Sequence, residues 1–319
     1  MNVEEIAVSK RSLSFSRLRR RSLLSNEQNL AGYLFISPWL LGFFLLTVWP
    51  ILRSFYLSFT EYSLLEDPVW VGFDNYKEIF FKDQLFRKSL GVTFTFVVFS
   101  VPVKLFCSLM VAMFLNRSMR GIQLYRTAIY FPSLIGGSIA VSVLWRNMFD
   151  MKGYVNHVLG WFHMEGVGWL SNPSTSLYTL VLLNAWQFGS TMVIFLAGLK
   201  QIPQDLYESA SVDGAGSFRK FFHITLPMLS PVMFFNLVLG IIGSFQMFTS
   251  AFIITNGGPA NSTYMYALFL FEKAFKNYQM GYASSLAWIL LVIIAALTAL
   301  NFLMSKYWVF YESEGGHAK

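Results

Sequence analysis

Six stretches of this chain are apolar over the length a helix needs to cross a hydrocarbon layer, at about 31–57, 90–115, 124–148, 177–200, 224–254 and 282–309. In lipid, backbone N–H and C=O groups must be satisfied inside the segment, so each stretch is confined to helix. The sequence therefore predicts an all-α membrane protein with six transmembrane helices. Composition enters as support: 55% of the 319 residues are hydrophobic and 13% charged, about half the charge of a soluble domain. The aromatics, 33 Phe, 15 Tyr and 9 Trp, suit interfacial belts as well as packing. A net charge of +7 would suit nucleic acid, but the basic residues cluster in short loops beside the spans. That is a topology signal, so lipid and not nucleic acid is the expected surrounding.

The first span is longer than the apolar region of a signal peptide and is followed by no small-residue cleavage site, so it reads as a permanent helix. Prolines at 38, 50, 102, 132, 227 and 231 lie in or beside spans, where neighbouring helices can satisfy the carbonyls they free. The single cysteine, Cys107, lies in an apolar run and rules out an intrachain disulfide framework.

Orientation follows from Lys and Arg. Lys10, Arg11, Arg17, Arg19, Arg20 and Arg21 precede the first span; Arg117, Arg120 and Arg126 follow the second; Lys200, Arg219 and Lys220 follow the fourth. Loops of the other side hold fewer bases and carry Glu61, Glu66, Asp67, Asp74, Glu78 and Asp83. Both termini are thus expected in the cytoplasm of a multi-pass inner-membrane protein. The divisions expected are a basic tail over 1–30, a membrane domain over 31–309 and a short tail over 310–319. The basic tail reads as an unfolded topology signal in preference to an amphipathic helix, since Ile6, Leu13, Phe15 and Leu18 fit the helical period only loosely.

Between the fourth and fifth spans, at about 201–220, the chain turns polar without losing helix-forming character. Gln204 and Asp205 after Pro203 should open a short helix, and Gly214 and Gly216 should end it with backbone freedom. Leu206, Tyr207 and Ala210 would share a face, leaving Glu208 as a lone acid for a cation on a partner. Spacing alone also fits an ordinary solvated loop.

The run Tyr207-Glu208-Ser209-Ala210-Ser211-Val212-Asp213-Gly214-Ala215-Gly216 closely resembles the EAA loop of permease subunits of binding-protein-dependent ABC importers. The resemblance extends from about Leu34 to Tyr307 and includes Ser37-Pro38-Trp39-Leu40, Val71-Gly72-Phe73-Asp74-Asn75-Tyr76 and Asn256-Gly257-Gly258-Pro259. It looks like the carbohydrate-uptake branch, of the subunit type of the maltose importer's larger permease, without the extra N-terminal helices and large outer domain. It implies the type I importer transmembrane fold. It makes Tyr207, Glu208, Ala210, Asp213, Gly214 and Gly216 a coupling helix seated in a cleft of an ATPase. The family usually has Ala where Ser209 stands.

No G-x-x-x-x-G-K-[ST] occurs, so the chain has no such phosphate cradle. The resemblance implies ATP and Mg²⁺ on a separate ATPase and no cofactor on this chain. His157, His163, His223 and His317 are isolated, no metal spacing is present, and no nucleophile constellation points to an enzyme.

Sugar recognition needs aromatic faces and neutral hydrogen-bonding groups around a wet cavity. Span four offers Asn184, Trp186, Gln187, Phe188, Ser190 and Thr191; span five offers Ser244, Gln246 and Thr249 among Phe245, Met247 and Phe248. Such groups equally glue helices together. The resemblance maps sugar contact onto Phe188, Thr191, Gly243, Ser244 and Met247. With Gln187, Gln246 and Lys104 these make the expected substrate path. Lys104 lies mid-span, where a cation costs about 2.5–3.5 kcal/mol on insertion scales. It either snorkels, donates to a carbonyl freed by Pro102, or faces the path and favours an acidic sugar.

The function expected is the membrane subunit of an ATP-driven importer of sugars, oligosaccharides above all, working by alternating access. A gradient-driven transporter is the rival reading, and it would carry acids or histidines within its spans, which these cores lack. Import of glycerol 3-phosphate or its diesters is a related alternative. The family implies a second homologous permease, two ATPase subunits and an extracytoplasmic solute-binding protein docked on the loops at about 58–89 and 255–281.

Overall fold

A computed structural model describes residues 32–310 apart from 65 and 118. The expected terminal tails, 1–30 and most of 310–319, lie outside the described residues. The chain divides into two compact units, 1–57 and 58–319. Of the first, the structure describes one apolar helix, α1 (Gly32–Leu57), with a π-helical turn at Phe44–Val48.

The second unit opens with a two-stranded antiparallel ribbon, β1 (Thr60–Glu61) and β2 (Val69–Trp70), Thr60 facing Trp70. A short α2 (Asp74–Lys77) then runs into a π turn. Asp83 caps the long α3 (Gln84–Leu115), its Oδ1 accepting from the N–H groups of Leu85 and Phe86 at 2.8 and 3.1 Å. At 32 residues, α3 is about 48 Å long, more than a bilayer core requires. It is followed by α4 (Ile122–Ile135), α5 (Ile139–Met148) and α6 (Tyr154–Trp161). Then come α7 (Ser176–Trp186), α8 (Gly189–Gln201) and the polar α9 (Gln204–Val212). The unit closes with α10 (Ser217–Phe245), α11 (Thr249–Ile254), α12 (Tyr266–Phe271) and α13 (Met280–Trp308).

Helix α3 runs through two large apolar clusters and, between them, a smaller one of Val97 and Val101 with Phe245. Near its Gln84 end Phe86, Val92 and Phe96 pack with Leu180, Leu183, Tyr266, Phe269 and Leu286. Near its Leu115 end Leu109, Ala112 and Leu115 pack with Met192, Phe195, Leu199 and Leu229. Each fully buried side chain of this size contributes about 1.5–3 kcal/mol against exposure to water.

The six spans are not six unbroken helices. Four described helices are long and apolar enough to cross a membrane, and there are six spans if each of two bent pairs counts as one: α4 with α5 at 98° and α7 with α8 at 45°. The fifth expected span, 224–254, is also interrupted, since α10 stops at Phe245 and α11 begins at Thr249. Hydropathy sums over such breaks without registering them; the cause lies in what meets there.

Candidate functional site

The three breaks converge. Gly137, Gln187, Met247 and Phe248, one or more from each break, line a cavity of ≈ 260 Å³ together with Lys104, Asn184, Gly243, Ser244, Thr249 and Ser250. Broken backbone at mid-span is tolerated where protein or a cavity satisfies the freed groups. Gln187 does so here, its Nε2 donating to the Gly136 carbonyl at 2.7 Å and tying the α7–α8 break to the α4–α5 break. On α10 the lining positions Gly240, Gly243 and Ser244 lie on one helical face, and Met247 follows just past the helix end. Asn184 Nδ2 donates to Ser244 Oγ at 3.5 Å, and Ser244 and Ser100 hydroxyls lie 3.4 Å apart. These are long bonds that leave polar capacity unspent.

Of the eight expected path residues, Lys104, Gln187, Gly243, Ser244 and Met247 line this cavity. Phe188, Thr191 and Gln246 do not. Phe188 packs against the Leu109–Leu115 cluster, its carbonyl accepting from Ser108 Oγ at 3.3 Å, and Thr191 sits further along the same helix. Gln246 caps the end of α10 and is exposed, outside the lining. Gly137 and Ser250 are added by the structure. The signal for Gly137 was the Gly136-Gly137-Ser138 run, a helix breaker with a cap behind it: Ser138 Oγ accepts from the Val141 N–H.

The Lys104 ammonium has no hydrogen-bond or ion-pair partner among the described residues. The carbonyl-donor reading is thereby corrected: the ammonium meets no carbonyl among the described residues, and the side-chain bond at this residue runs the other way, from Ser108 Oγ to the Lys104 carbonyl at 2.6 Å.

The polar segment is the short helix expected. Pro203 precedes α9, Asp205 sits in its first turn, and Tyr207 and Ala210 turn toward the body of the unit. The Tyr207 hydroxyl lies 2.9 Å from Thr225 Oγ1 on α10. Glu208 and Asp213 are exposed. Leu206 does not share the inner face; it is 41% exposed, with Val212 at 89% and Phe218 at 83%, an apolar fringe beside the acids. Gly214 holds φ +74°, which a side chain would strain, and its N–H donates to Ser211 O while that of Ala215 reaches Ala210 O at 2.8 Å. Gly216 needs no such freedom, since its φ of −70° and ψ of 169° suit any residue.

At the Gln84 end the two expected loops meet. The Gly281 N–H donates to Tyr62 O at 3.1 Å and Ser285 Oγ donates to Ser58 O at 2.6 Å. Tyr282 OH donates to Asp83 Oδ2 at 2.7 Å, and Lys273 Nζ stands 3.5 Å from the same oxygen. Burial alone would raise the Asp83 carboxyl. The Tyr282 hydroxyl, the Phe86 and Leu85 N–H groups and the Lys273 charge outweigh it and hold it below the usual carboxylate range. A ≈ 320 Å³ cavity here is lined by Glu61, Glu66, Asp74 and Glu78 with Asn75, Tyr278 and Tyr282. A third cavity, ≈ 520 Å³, lies between α5 and α11 and is lined by Val143, Arg146, Phe252, Thr255, Asn256 and Lys276.

Comparison with known proteins matches this geometry to one family. The model described as "Binding-protein-dependent transport system inner membrane component" matches residues 84–307. The chain is 49% identical over 298 residues to the probable ABC transporter permease protein YesP of Bacillus subtilis (strain 168), covering 92% of this chain and 96% of that one. It is 30% identical over 278 residues to the arabinooligosaccharides transport system permease protein AraP of Halalkalibacterium halodurans, covering 86% and 87%. Among solved structures it superimposes, with a TM-score of 0.78 and 20% identity over 90% of this chain and 98% of that one, on a chain of a bacterial ABC transporter involved in the import of the acidic polysaccharide alginate.

Proposed function

The chain belongs to the family of binding-protein-dependent transport system inner membrane components, and from that premise we propose that it is the sugar-conducting permease of an ATP-driven importer of oligosaccharides. Members of this family are transport subunits and not enzymes, and this one is a multi-pass membrane protein. Membership also sets aside the gradient-driven reading.

The observation that carries the proposal is the convergence of three helix breaks on one polar cavity halfway along α3. Neutral amides and hydroxyls beside Met247 and Phe248 suit a saccharide, which offers hydroxyls to the first and apolar ring faces to the second. The oligosaccharide relatives favour the same substrate class. Only one wall of a passage is present, so a second, homologous permease supplies the other and makes the unit a heterodimer.

The exposed α9 is the EAA-type coupling helix. Glu208 and Asp213, with the apolar fringe of Leu206, Val212 and Phe218 around them, form the surface for an ATPase cleft, while Tyr207 and Ala210 hold the helix to its own unit. This face and both termini are cytoplasmic, following the Lys and Arg asymmetry. ATP and Mg²⁺ belong to two ATPase subunits. The joined loops of the Gln84 end form the docking surface for an extracytoplasmic solute-binding protein. ATP-driven closure of the ATPases draws the coupling helices together and opens the passage outward; hydrolysis resets it.

The test is Glu208→Lys and Gly214→Val in the assembled complex. The first reverses the charge offered to the cleft, and the second forbids φ +74°. Both should leave the complex inserted and paired yet cut solute-stimulated ATP hydrolysis at least about tenfold, a loss of about 1.4 kcal/mol or more of coupling. Normal hydrolysis and import by both variants would refute the coupling assignment.

A further inference from the structure

We propose that the saccharide carried by this chain bears a fixed negative charge, met by Lys104 inside the central cavity and by Arg146 on the approach to it. The inference rests on reading that cavity as the solute path, and it goes beyond that reading in naming the charge of the cargo.

Three observations carry it. First, a lysine in the middle of a span is disfavoured unless something meets its charge, and nothing among the described residues does. Lys104 lines the ≈ 260 Å³ cavity with Asn184, Gln187 and Ser244, no Asp or Glu lines it, and the ammonium has no partner among the described residues. An ammonium only donates, so its missing counterpart is an acceptor, and the strongest acceptor in a partly dry site is an anion.

Second, the ≈ 520 Å³ cavity repeats the pattern. Arg146 and Lys276 line it, and no acidic residue does. Lys276 is engaged by Glu272 at 2.5 Å, whereas Arg146 makes only a marginal 3.5 Å contact with the Ile253 carbonyl. The two cavities lie along the same pair of helices. Gly137 and Ser250 line one at the start of α5 and α11, and Arg146 and Thr255 line the other at their far ends. The Ser142 and Ser250 hydroxyls, 3.4 Å apart, join the helices between them. An anion leaving Arg146 thus has the Lys104 charge about two to three helical turns onward.

Third, the chain gathers its acids in another cavity. Glu61, Glu66, Asp74 and Glu78 gather in the separate ≈ 320 Å³ cavity between α2 and α13. Negative charge is concentrated there and kept out of both cavities along α5 and α11, a segregation that favours an anion on one route.

The same chemistry could come from a uronic-acid carboxylate or from a sugar phosphate, and the experiment separates the two. The whole importer, with its permease partner, ATPases and binding protein, is reconstituted in proteoliposomes. The uptake panel holds di- and trisaccharides of galacturonate and glucuronate, their carboxyl-reduced neutral counterparts, and hexose phosphates. Lys104→Met should lower uptake of one charged class at least about tenfold and change its neutral counterpart less than about twofold, while Lys104→Arg retains uptake. Loss confined to uronates identifies a carboxylate, and loss confined to phosphates identifies a phosphate. Equal effects on charged and neutral members, or a wild type that carries only neutral ones, overturn the inference.

A second arm needs no substrate. In a Cys107→Ser background, Asn184→Cys is labelled with a sulfonate-bearing and a trimethylammonium-bearing methanethiosulfonate of similar size. The anionic reagent should react faster, and Lys104→Met should lower the anion-to-cation rate ratio about tenfold. An unchanged ratio overturns the inference whatever the panel shows. The label also tests the premise separately. Full labelling that leaves all uptake intact removes the path reading itself, whereas labelling that blocks uptake while Lys104→Met stays blind to charge removes only the anion.

Discussion

Gly281 is where the β1 segment rests on the first turn of α13, and Gly281→Ala is the most sensitive probe of that joint. A Cβ built on this glycine would stand 2.0 Å from the Thr60 carbonyl oxygen and 3.1 Å from both Thr60 C and Tyr62 N. Favourable contact needs about 3.5 Å, so the segment must retreat by about 1–1.5 Å. That is enough to break the 3.1 Å bond from the Gly281 N–H to Tyr62 O and the 2.6 Å bond from Ser285 Oγ to Ser58 O. Ser58 and Ser285 are fully buried but keep second partners, Asn75 Nδ2 donating to Ser58 O at 3.1 Å and Ser285 Oγ donating to Gly281 O at 3.2 Å, so the groups left unmet are the Gly281 N–H and Tyr62 O. At about 1–3 kcal/mol for each polar group left unmet, less a few tenths of a kcal/mol for alanine's better helix propensity in a terminal turn, the net cost is about 2–4 kcal/mol.

Hydrogen exchange on the reconstituted permease reads that cost locally. Amides of residues 58–83 and of the first turn of α13 should exchange about 30- to 900-fold faster, at 1.36 kcal/mol per decade. Amides near α9 should not change. Gly91→Ala is the control, since nothing lies within 4 Å of a Cβ there, and it should exchange as wild type does. If these loops form the docking surface proposed above, Gly281→Ala also weakens stimulation by the binding protein while basal ATP hydrolysis stands. Exchange within about threefold of wild type across 58–83 would refute the steric reasoning, because the clash leaves no smaller accommodation.

The Asp83 carboxyl lies below its usual range in the folded chain, so it contributes stability that is present above the unfolded carboxylate value of about 3.9 and lost as pH falls through the depressed folded value. Asp83→Asn, which can still cap α3, should flatten the pH dependence of thermal stability below about pH 4; a slope equal to that of wild type would contradict this. Asn156 is buried and donates through Nδ2 toward Asp150 O, Met151 O and Val167 O while its Oδ1 accepts from the Val167 N–H and Trp169 Nε1. Asn156→Asp keeps the accepted bonds but turns a charge toward three carbonyls. It should destabilise the 150–169 loop by about 2–4 kcal/mol at neutral pH. Because such a carboxyl has a raised folded pKa, protonation should relieve the damage as pH falls; proteolysis of the loop at pH 5 and pH 8 measures it.

What the sequence made legible were the features that sum along the chain. Hydropathy located the spans within a few residues, and the proline, acids and glycines of 203–216 located α9 and its left-handed end at Gly214. It could not show the breaks. None is caused by a proline at the break itself; Gln187 ends α7 by reaching the Gly136 carbonyl, 51 residues away, and window averages carry no record of such a partner. The same limit hid the joint between Asp83, Lys273 and Tyr282, whose members lie up to 199 residues apart. Position at the helix end decided the path residues. Gly243 and Ser244 at the end of α10 and Met247 just beyond it line the cavity while Gln246 between them is exposed, yet a composition-based choice weights all four alike.

The arrangement of packing shows how a push at α9 can reach the cavity. The two apolar clusters grip α3 at its ends, and close-packed clusters move as bodies rather than deform. The cavity lies in the interval between them, where three helices are interrupted. Helix α10 bridges the interval: Thr225 near its start is bonded to Tyr207 of α9, and Gly243 and Ser244 near its end line the cavity. From Thr225 to Gly243 the rise is about 27 Å, so tilting α10 by about 10° at the π turn Phe221–Thr225 moves the lining face by about 5 Å. A displacement of that size is comparable to the width of a cavity of ≈ 260 Å³. Small motions of α9 are thus sufficient to shift one wall of the cavity, without any chain of side-chain rearrangements between the two places.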